Sequence, residues 1–297
     1  MLRGSARVAG LLVLVACLGQ AVAGCSGVPA GPKAPQVVGT PPAPASSAAP
    51  VESPSPTVTR VGNATAAPRW LGTRILPSGP DGFAAARTTP PELRNRSIIT
   101  VDDLPPPPEG RFHALARAVP ASVLDRSSWT NDCPVAAADL RYLTVGFRGF
   151  DGRAHTGELL VNARVVDDLI TVFGQLFAAN FPIERMRISS AAELNAPSTG
   201  DANTTEAFAC RPVRGGTAWS QHAYGLAVDL NPFQNPYHRD QVVLPELATA
   251  YLDRAEARPG MVQPGGSAVR SFTAIGWHWG GDYRSLKDYM HFSATGG

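Results

Sequence analysis

Ser220-Gln221-His222-Ala223-Tyr224-Gly225-Leu226-Ala227-Val228-Asp229-Leu230-Asn231-Pro232 is the stretch from which the rest of the chain is read. Leu226 to Leu230 is a short apolar run between a glycine and an Asn-Pro pair, the pattern of a buried strand. Alternation along that strand puts Gly225, Ala227 and Asp229 on one face and Leu226, Val228 and Leu230 on the other. A carboxylate there is costly unless it is paired, hydrogen-bonded or bound to a metal. The small residues beside Asp229 leave room for something other than protein. His222, seven positions earlier on the turn entering the strand, offers a second donor.

The C-terminal run Gly276-Trp277-His278-Trp279-Gly280-Gly281-Asp282-Tyr283 leads into Asp288-Tyr289-Met290-His291-Phe292 and offers the rest. Two imidazoles and one carboxylate, with the fourth position left to water, are the donor set of a catalytic zinc. His278 and His291 compete for the third protein position. Asp288, three residues before His291, is the candidate base for a metal-activated water. A single histidine is more often a satisfied core or surface residue than a ligand. The density of His, Asp, Gly and aromatic residues in both runs is what favours the metal.

Outward from these runs, strand and helix patterns alternate. Gly157 to Asn162 reads as a buried strand, and Val165, Val166, Leu169, Ile170, Phe173, Leu176 and Phe177 recur at helical spacing before Pro182. Met186 to Ser189 reads as another strand, and Gly266 to Ala274 as a helix presenting Val269 and Phe272 inward. The expected class is α+β, with helices packed on a mostly antiparallel sheet. Trp70, Leu71, Ile98 and Val101 are hydrophobic anchors in a segment that wraps onto the domain.

The chain opens with Arg3 and Arg7, then an apolar stretch from Val8 to about Ala23, the layout of a secretory signal over residues 1–24. At roughly 16 residues the stretch is short for a membrane span of about 20. Val22-Ala23-Gly24-Cys25 resembles the bacterial lipobox, in which Cys25 carries the lipid; the other reading is an ordinary cleaved signal. Residues 25–90, rich in Pro, Ala and Ser, read as a largely disordered linker, and 91–297 as the compact domain. In an exported domain Cys133 and Cys210 read as a structural disulfide, since 77 residues is no zinc-ligand spacing. With a net charge of +2 and no long basic run, nucleic acid is excluded as a partner, and nothing demands more than a monomer.

Ser-x-His-x-x-Gly-x-Ala-x-Asp followed by Asn231-Pro232, the Gly-Trp-x-Trp-Gly-Gly run and Asp-x-x-His-Phe together resemble the VanY-type D-alanyl-D-alanine carboxypeptidases. That family also includes L-alanyl-D-glutamate endopeptidases, and the resemblance covers roughly His155 to Phe292. It implies a zinc metallopeptidase with one Zn2+ per chain on His222, Asp229 and His291, and Asp288 as general base. The ligand precedes the Phe of the motif, which ranks His291 above His278. It further implies the small fold shared with the Hedgehog signalling domain. Arg211 is implied as the group that polarises the scissile carbonyl or binds a substrate carboxylate, because Ser190-Ala191-Ala192 stands where the family's more usual Arg follows the strand near Met186. Ser220 is expected to orient a loop or ligand, and Trp277 and Trp279 to wall the cleft. The implied substrate is a peptidoglycan stem peptide, cut at the D-Ala-D-Ala or the L-Ala to D-Glu bond, with the enzyme held by its lipid on the outer face of the cytoplasmic membrane. The alternative is a zinc-containing wall-binding lipoprotein without catalysis.

Overall fold

Strands form where the sequence alternates, and the one long helix where apolar residues recur every three to four positions. The computed structural model describes residues 60–79 and 82–296. In chain order the strands and α-helices are β1 (Arg60–Val61), β2 (Ala64–Thr65), β3 (Ala114–Ala118), α1 (Ala121–Asp125), β4 (Leu140–Arg148), β5 (Ala154–Asn162), α2 (Val166–Ala178), β6 (Arg185–Met186), α3 (Ala191–Leu194), β7 (Thr204–Thr205), β8 (Ala227–Asp229), β9 (Tyr237–Arg239), β10 (Val242–Leu244), α4 (Ser267–Ala274), β11 (His278–Trp279), β12 (Lys287–Asp288) and β13 (His291–Ser293). The class is α+β as expected. The sheet is not single, however: the described strands form five small sheets, ordered β1-β2, β3-β4-β5, β6-β7, β10-β9-β12 and β11-β13-β8. Most of these strands are only two or three residues long, so a ladder ends almost as soon as it starts. β8, for example, is followed after Leu230 by Asn231 with φ +44 and by Pro232, neither of which continues a strand. All pairings are antiparallel except β6 with β7.

The long hairpin β4–β5 runs in register from Leu140↔Asn162 to Arg148↔Ala154, and β3 extends it. α2 buries Val166, Leu169, Val172, Phe173, Leu176 and Phe177, the stripe that its spacing predicts. That stripe packs in one cluster with Leu143, Val145, Phe147, Leu159 and Val161 of the hairpin. The cluster continues through Leu226, Val228, Leu230, Phe272, Trp277, Trp279 and Phe292, so the strands that carry the candidate ligands rest on the main core. Leu169 is fully buried, and Leu169→Ala would cost about 2–5 kcal/mol through lost transfer and the cavity left.

Packing begins well before residue 91. Ala64, Leu76, Ala84 and Thr89 are buried, and Trp70 and Leu71 pack on a second cluster formed by Leu93, Ile98, Phe233, Leu247, Tyr251 and Met261. The linker expected over 25–90 therefore gives way to packed chain near Ala64, because partners more than 130 residues away cover a segment with few apolar residues of its own. Arg96, buried within this region, is clamped by Glu184 through Nε to Oε2 at 2.8 Å and Nη2 to Oε1 at 2.5 Å. Val101, expected as an anchor, is 71% exposed; the chain there is held instead by the flanking polar pairs Thr100 to the Glu184 carbonyl and Asp103 to Arg185. Among the described residues no helix is long and apolar enough to cross a membrane.

Candidate metal centre

Strand register brings the first two donors together. β13 pairs with β8 so that His291 lies directly opposite Asp229, a separation of 62 residues along the chain. Directly opposed residues of an antiparallel pair share a face with Cβ atoms about 4.5–5.5 Å apart. The third donor comes from the 3-10 turn Gln221–Tyr224 that precedes β8. Ser220 caps this turn, its Oγ accepting from the His222 N–H at 3.3 Å. Gly225 closes it at φ +68, where a Cβ would come within 2.7 Å of the Asn162 nitrogen. Gly225 is thus the turn's cap and not the first residue of a strand, and the alternation that places Asp229 starts at Ala227.

His222 Nε2, His291 Nδ1 and Asp229 Oδ1 form a nearly equilateral triangle. The edges are 3.2 Å from His222 to His291, 3.2 Å from His222 to Asp229 and 3.1 Å from His291 to Asp229. Ligands about 2.0–2.1 Å from a tetrahedral metal are about 3.3 Å apart, so the triangle fits a zinc-sized ion. Among the described residues these three are grouped closely enough to hold a metal ion, and all three are buried. His222 Nδ1 lies 2.7 Å from the Ala207 carbonyl and donates to it, which leaves the Nε2 lone pair for a metal.

Burial alone would push the Asp229 carboxyl up, but His222 and His291 outweigh it and hold the group well below the carboxylate range. Burial likewise pulls His222 down, and the Asp229 carboxylate more than restores it, leaving it raised. Asp288 sits on β12, opposite Tyr237 of β9. Burial pushes its carboxyl up to about 6, with the charges of His291, Asp229, His222 and Arg211 all acting on it. Its Oδ1 is buried without a hydrogen-bond partner, an acceptor aimed at nothing the protein supplies. Gly280 makes this approach possible, since a Cβ there would lie 2.8 Å from the Asp288 Cβ.

Arg211 is half-buried beside the centre, its Nε is buried without a partner, and its one polar contact is a long 3.4 Å one to the Pro212 carbonyl. No carboxylate engages it. Glu206, which the sequence did not mark, bridges Asp229 through backbone hydrogen bonds of 2.9 and 3.2 Å. Burial pushes the Glu206 carboxyl up, and the Ser189 hydroxyl donates to it. Its only local signal was an acid in an otherwise apolar or neutral stretch.

Two expectations are corrected. Trp277 and Trp279 do not wall a cleft: each is 4% exposed, Trp277 packing on Phe272 and Trp279 donating its indole N–H to the Tyr289 carbonyl at 2.9 Å. The core beneath β11 takes both, as neighbours on one pleat face of that segment. His278 between them points to solvent and pairs with Ser293, so it stays away from the triangle. Cys133 and Cys210 are bonded, which pins the loop before β4 to the segment entering Arg211. Cys25 and the signal over 1–24 lie outside the described residues.

No curated protein and no solved structure matches the chain. Residues 214–294 match a family model described as D-alanyl-D-alanine carboxypeptidase. The matched stretch is shorter than the one read from the motifs, yet it holds Ser220, His222, Asp229, Asp288 and His291, while Arg211 falls just ahead of it. Over residues 214–294, where the whole donor triangle resides, the chain is similar to the D-alanyl-D-alanine carboxypeptidase family.

Proposed function

We propose that the chain is a zinc peptidase of the cell envelope that hydrolyses an amide bond in the peptidoglycan stem peptide, at the D-Ala-D-Ala terminus or between L-Ala and D-Glu. The observation that carries this reading is the convergence of His222 Nε2, Asp229 Oδ1 and His291 Nδ1 beside the unpartnered Oδ1 of Asp288. His222, Asp229 and His291 would hold one zinc ion, which would supply Lewis acidity and lower the pKa of the attacking water from about 15.7 toward about 7. Asp288 Oδ1 takes a proton from the attacking water and returns it to the leaving amine. Arg211, with no carboxylate of its own, donates to the carbonyl oxygen or to a substrate carboxylate. Ser220 and the Ala207 carbonyl hold His222 in the orientation and tautomer the centre needs. The buried donors keep competing water away from the ligand atoms, which strengthens each of these interactions.

The signal over 1–24 directs export and is removed, a lipid on Cys25 holds the enzyme at the outer face of the cytoplasmic membrane, and the Pro-rich segment tethers a monomeric catalytic domain within reach of the wall. Mass spectrometry of purified stem peptides, incubated with the zinc-loaded chain lacking its signal, tests the reading. Loss of a terminal alanine identifies a carboxypeptidase, and cleavage after the first L-Ala an endopeptidase. Intact peptides with zinc confirmed bound would sink it in favour of a wall-binding lipoprotein.

A further inference from the structure

Beside the metal centre an open groove of about 540 Å3 runs between the loop carrying Asp139, the start of α2 and the segment from Ala218 to Tyr224. Four polar groups face it without a partner: the Asp139 carboxylate, the Arg164 guanidinium, the Gln221 amide and the Trp219 indole N–H make no hydrogen bond or ion pair among the described residues. Trp219 is one of a handful of large apolar side chains left exposed, at 39%. The groove's floor is fixed, because Asn162 Nδ2 donates to the Tyr224 carbonyl at 3.1 Å.

We propose that this groove is a saccharide subsite, which takes the hexosamine to which the stem peptide is attached; the inference rests on the reading of the chain as a stem-peptide hydrolase. A sugar ring has an apolar C–H face, suited to an indole, and an edge of hydroxyls that both donate and accept. Asp139 and Gln221 accept from such hydroxyls, and Arg164, Gln221 and the indole N–H donate to them. An anionic ligand would meet Asp139, a cation would meet Arg164, and an apolar ligand would leave all four groups unsatisfied. The volume lies in the range of sites for ligands of drug or disaccharide size. The position also suits the chemistry. Residues three apart eclipse in a 3-10 turn, so Gln221 and Tyr224 face the groove while His222 turns into the metal centre. Sugar and scissile bond thus occupy two faces of one turn.

The test is calorimetric titration of the zinc-loaded chain with the peptide-free disaccharide of N-acetylglucosamine and N-acetylmuramic acid. Binding is expected, with Trp219→Ala weakening it about tenfold, the equivalent of about 1.4 kcal/mol. Trp219→Phe keeps most of the affinity, and Asp139→Ala gives an intermediate loss. In hydrolysis the wild type prefers a sugar-bearing stem peptide to the bare peptide, and Trp219→Ala removes that preference. Absence of disaccharide binding in a chain that cleaves bare stem peptide overturns the subsite and leaves the peptidase standing. Binding without cleavage of either substrate keeps the subsite and removes the peptidase. Binding indifferent to both Trp219→Ala and Asp139→Ala overturns the placement.

Discussion

The protein holds two clusters of histidine and carboxylate, and they are built for opposite ends. In the metal centre His222 and His291 each turn one nitrogen toward the same oxygen of Asp229, at 3.2 and 3.1 Å. At the β4–β5 turn a single His155 is held between two acids, its Nδ1 2.8 Å from Asp102 and its Nε2 3.0 Å from Asp151. The nitrogens of one imidazole point away from each other, so no ion can be reached by both Asp102 and Asp151 through His155. That cluster is a clamp, joining the segment at Asp102 to the hairpin turn, with the ring resting on Phe147 at 5.4 Å. Donor type is alike in the two places, although Asp102, with 41% of its side chain exposed, is not buried as the three residues of the triangle are. Convergence of lone pairs on one point is what separates a metal site from a polar staple.

The sharpest way to break this comparison is to remove one converging donor. His291→Ala is expected to lose bound zinc, measured by metal analysis after dialysis, together with all peptide hydrolysis, whereas His155→Ala keeps stoichiometric zinc. Loss of metal in the second variant would refute the distinction. Next in size, Asp288→Asn should retain zinc and lower kcat by about 10²–10⁴, the usual share of a general base; an unchanged kcat would move that role elsewhere. On the clamp side, His155→Ala leaves the buried Asp151 with only the Arg153 N–H and should cost about 1–3 kcal/mol in denaturant unfolding, with hydrolysis per folded molecule preserved.

The smallest effect concerns the second cluster, which holds the N-terminal segment. Tyr251 accepts from the Arg96 N–H at 2.8 Å, and burial pushes its phenol up to about 12 from the ordinary 10.0. Because the folded value is the higher, this stabilisation is complete below pH 10 and is lost as pH rises through about 12. Tyr251→Phe should cost about 1 kcal/mol at neutral pH and flatten the alkaline slope of the stability curve. An unaltered slope would mean that Tyr142, also raised to about 12 by burial, dominates it.

Legibility tracked the length and regularity of each element. α2 lies within a residue or so of its sequence-based limits because it carries a sustained period, while β5 ends at Asn162 as read but starts three residues before Gly157, carried on by the hairpin register to Ala154. Met186 to Ser189 shrank to the two-residue β6, since its partner β7 is only two residues long. Residue types and spacing marked His222 and Asp229 as donors, and the family resemblance set His291 ahead of His278 as the third. Glu206 and the groove around Trp219 were not legible, because the first acquires its neighbour only through an isolated bridge to Asp229 and the second is assembled from three separate loops. Trp277 and Trp279 misled because alternation says that two residues share a face but never which face meets the core.

By itself the sequence determined the periods of its longer elements and the donors available near one another along the chain: His222 seven residues before Asp229, and Asp288 three before His291. These are local facts, carried by backbone conformation and side-chain chemistry within a turn or a strand. Tertiary structure alone decided that His291 meets Asp229 and that the lone pairs of both converge with that of His222. Those outcomes rest on the β13–β8 register, and a slip of one residue would turn His291 to the opposite face and leave Asp229 with one imidazole.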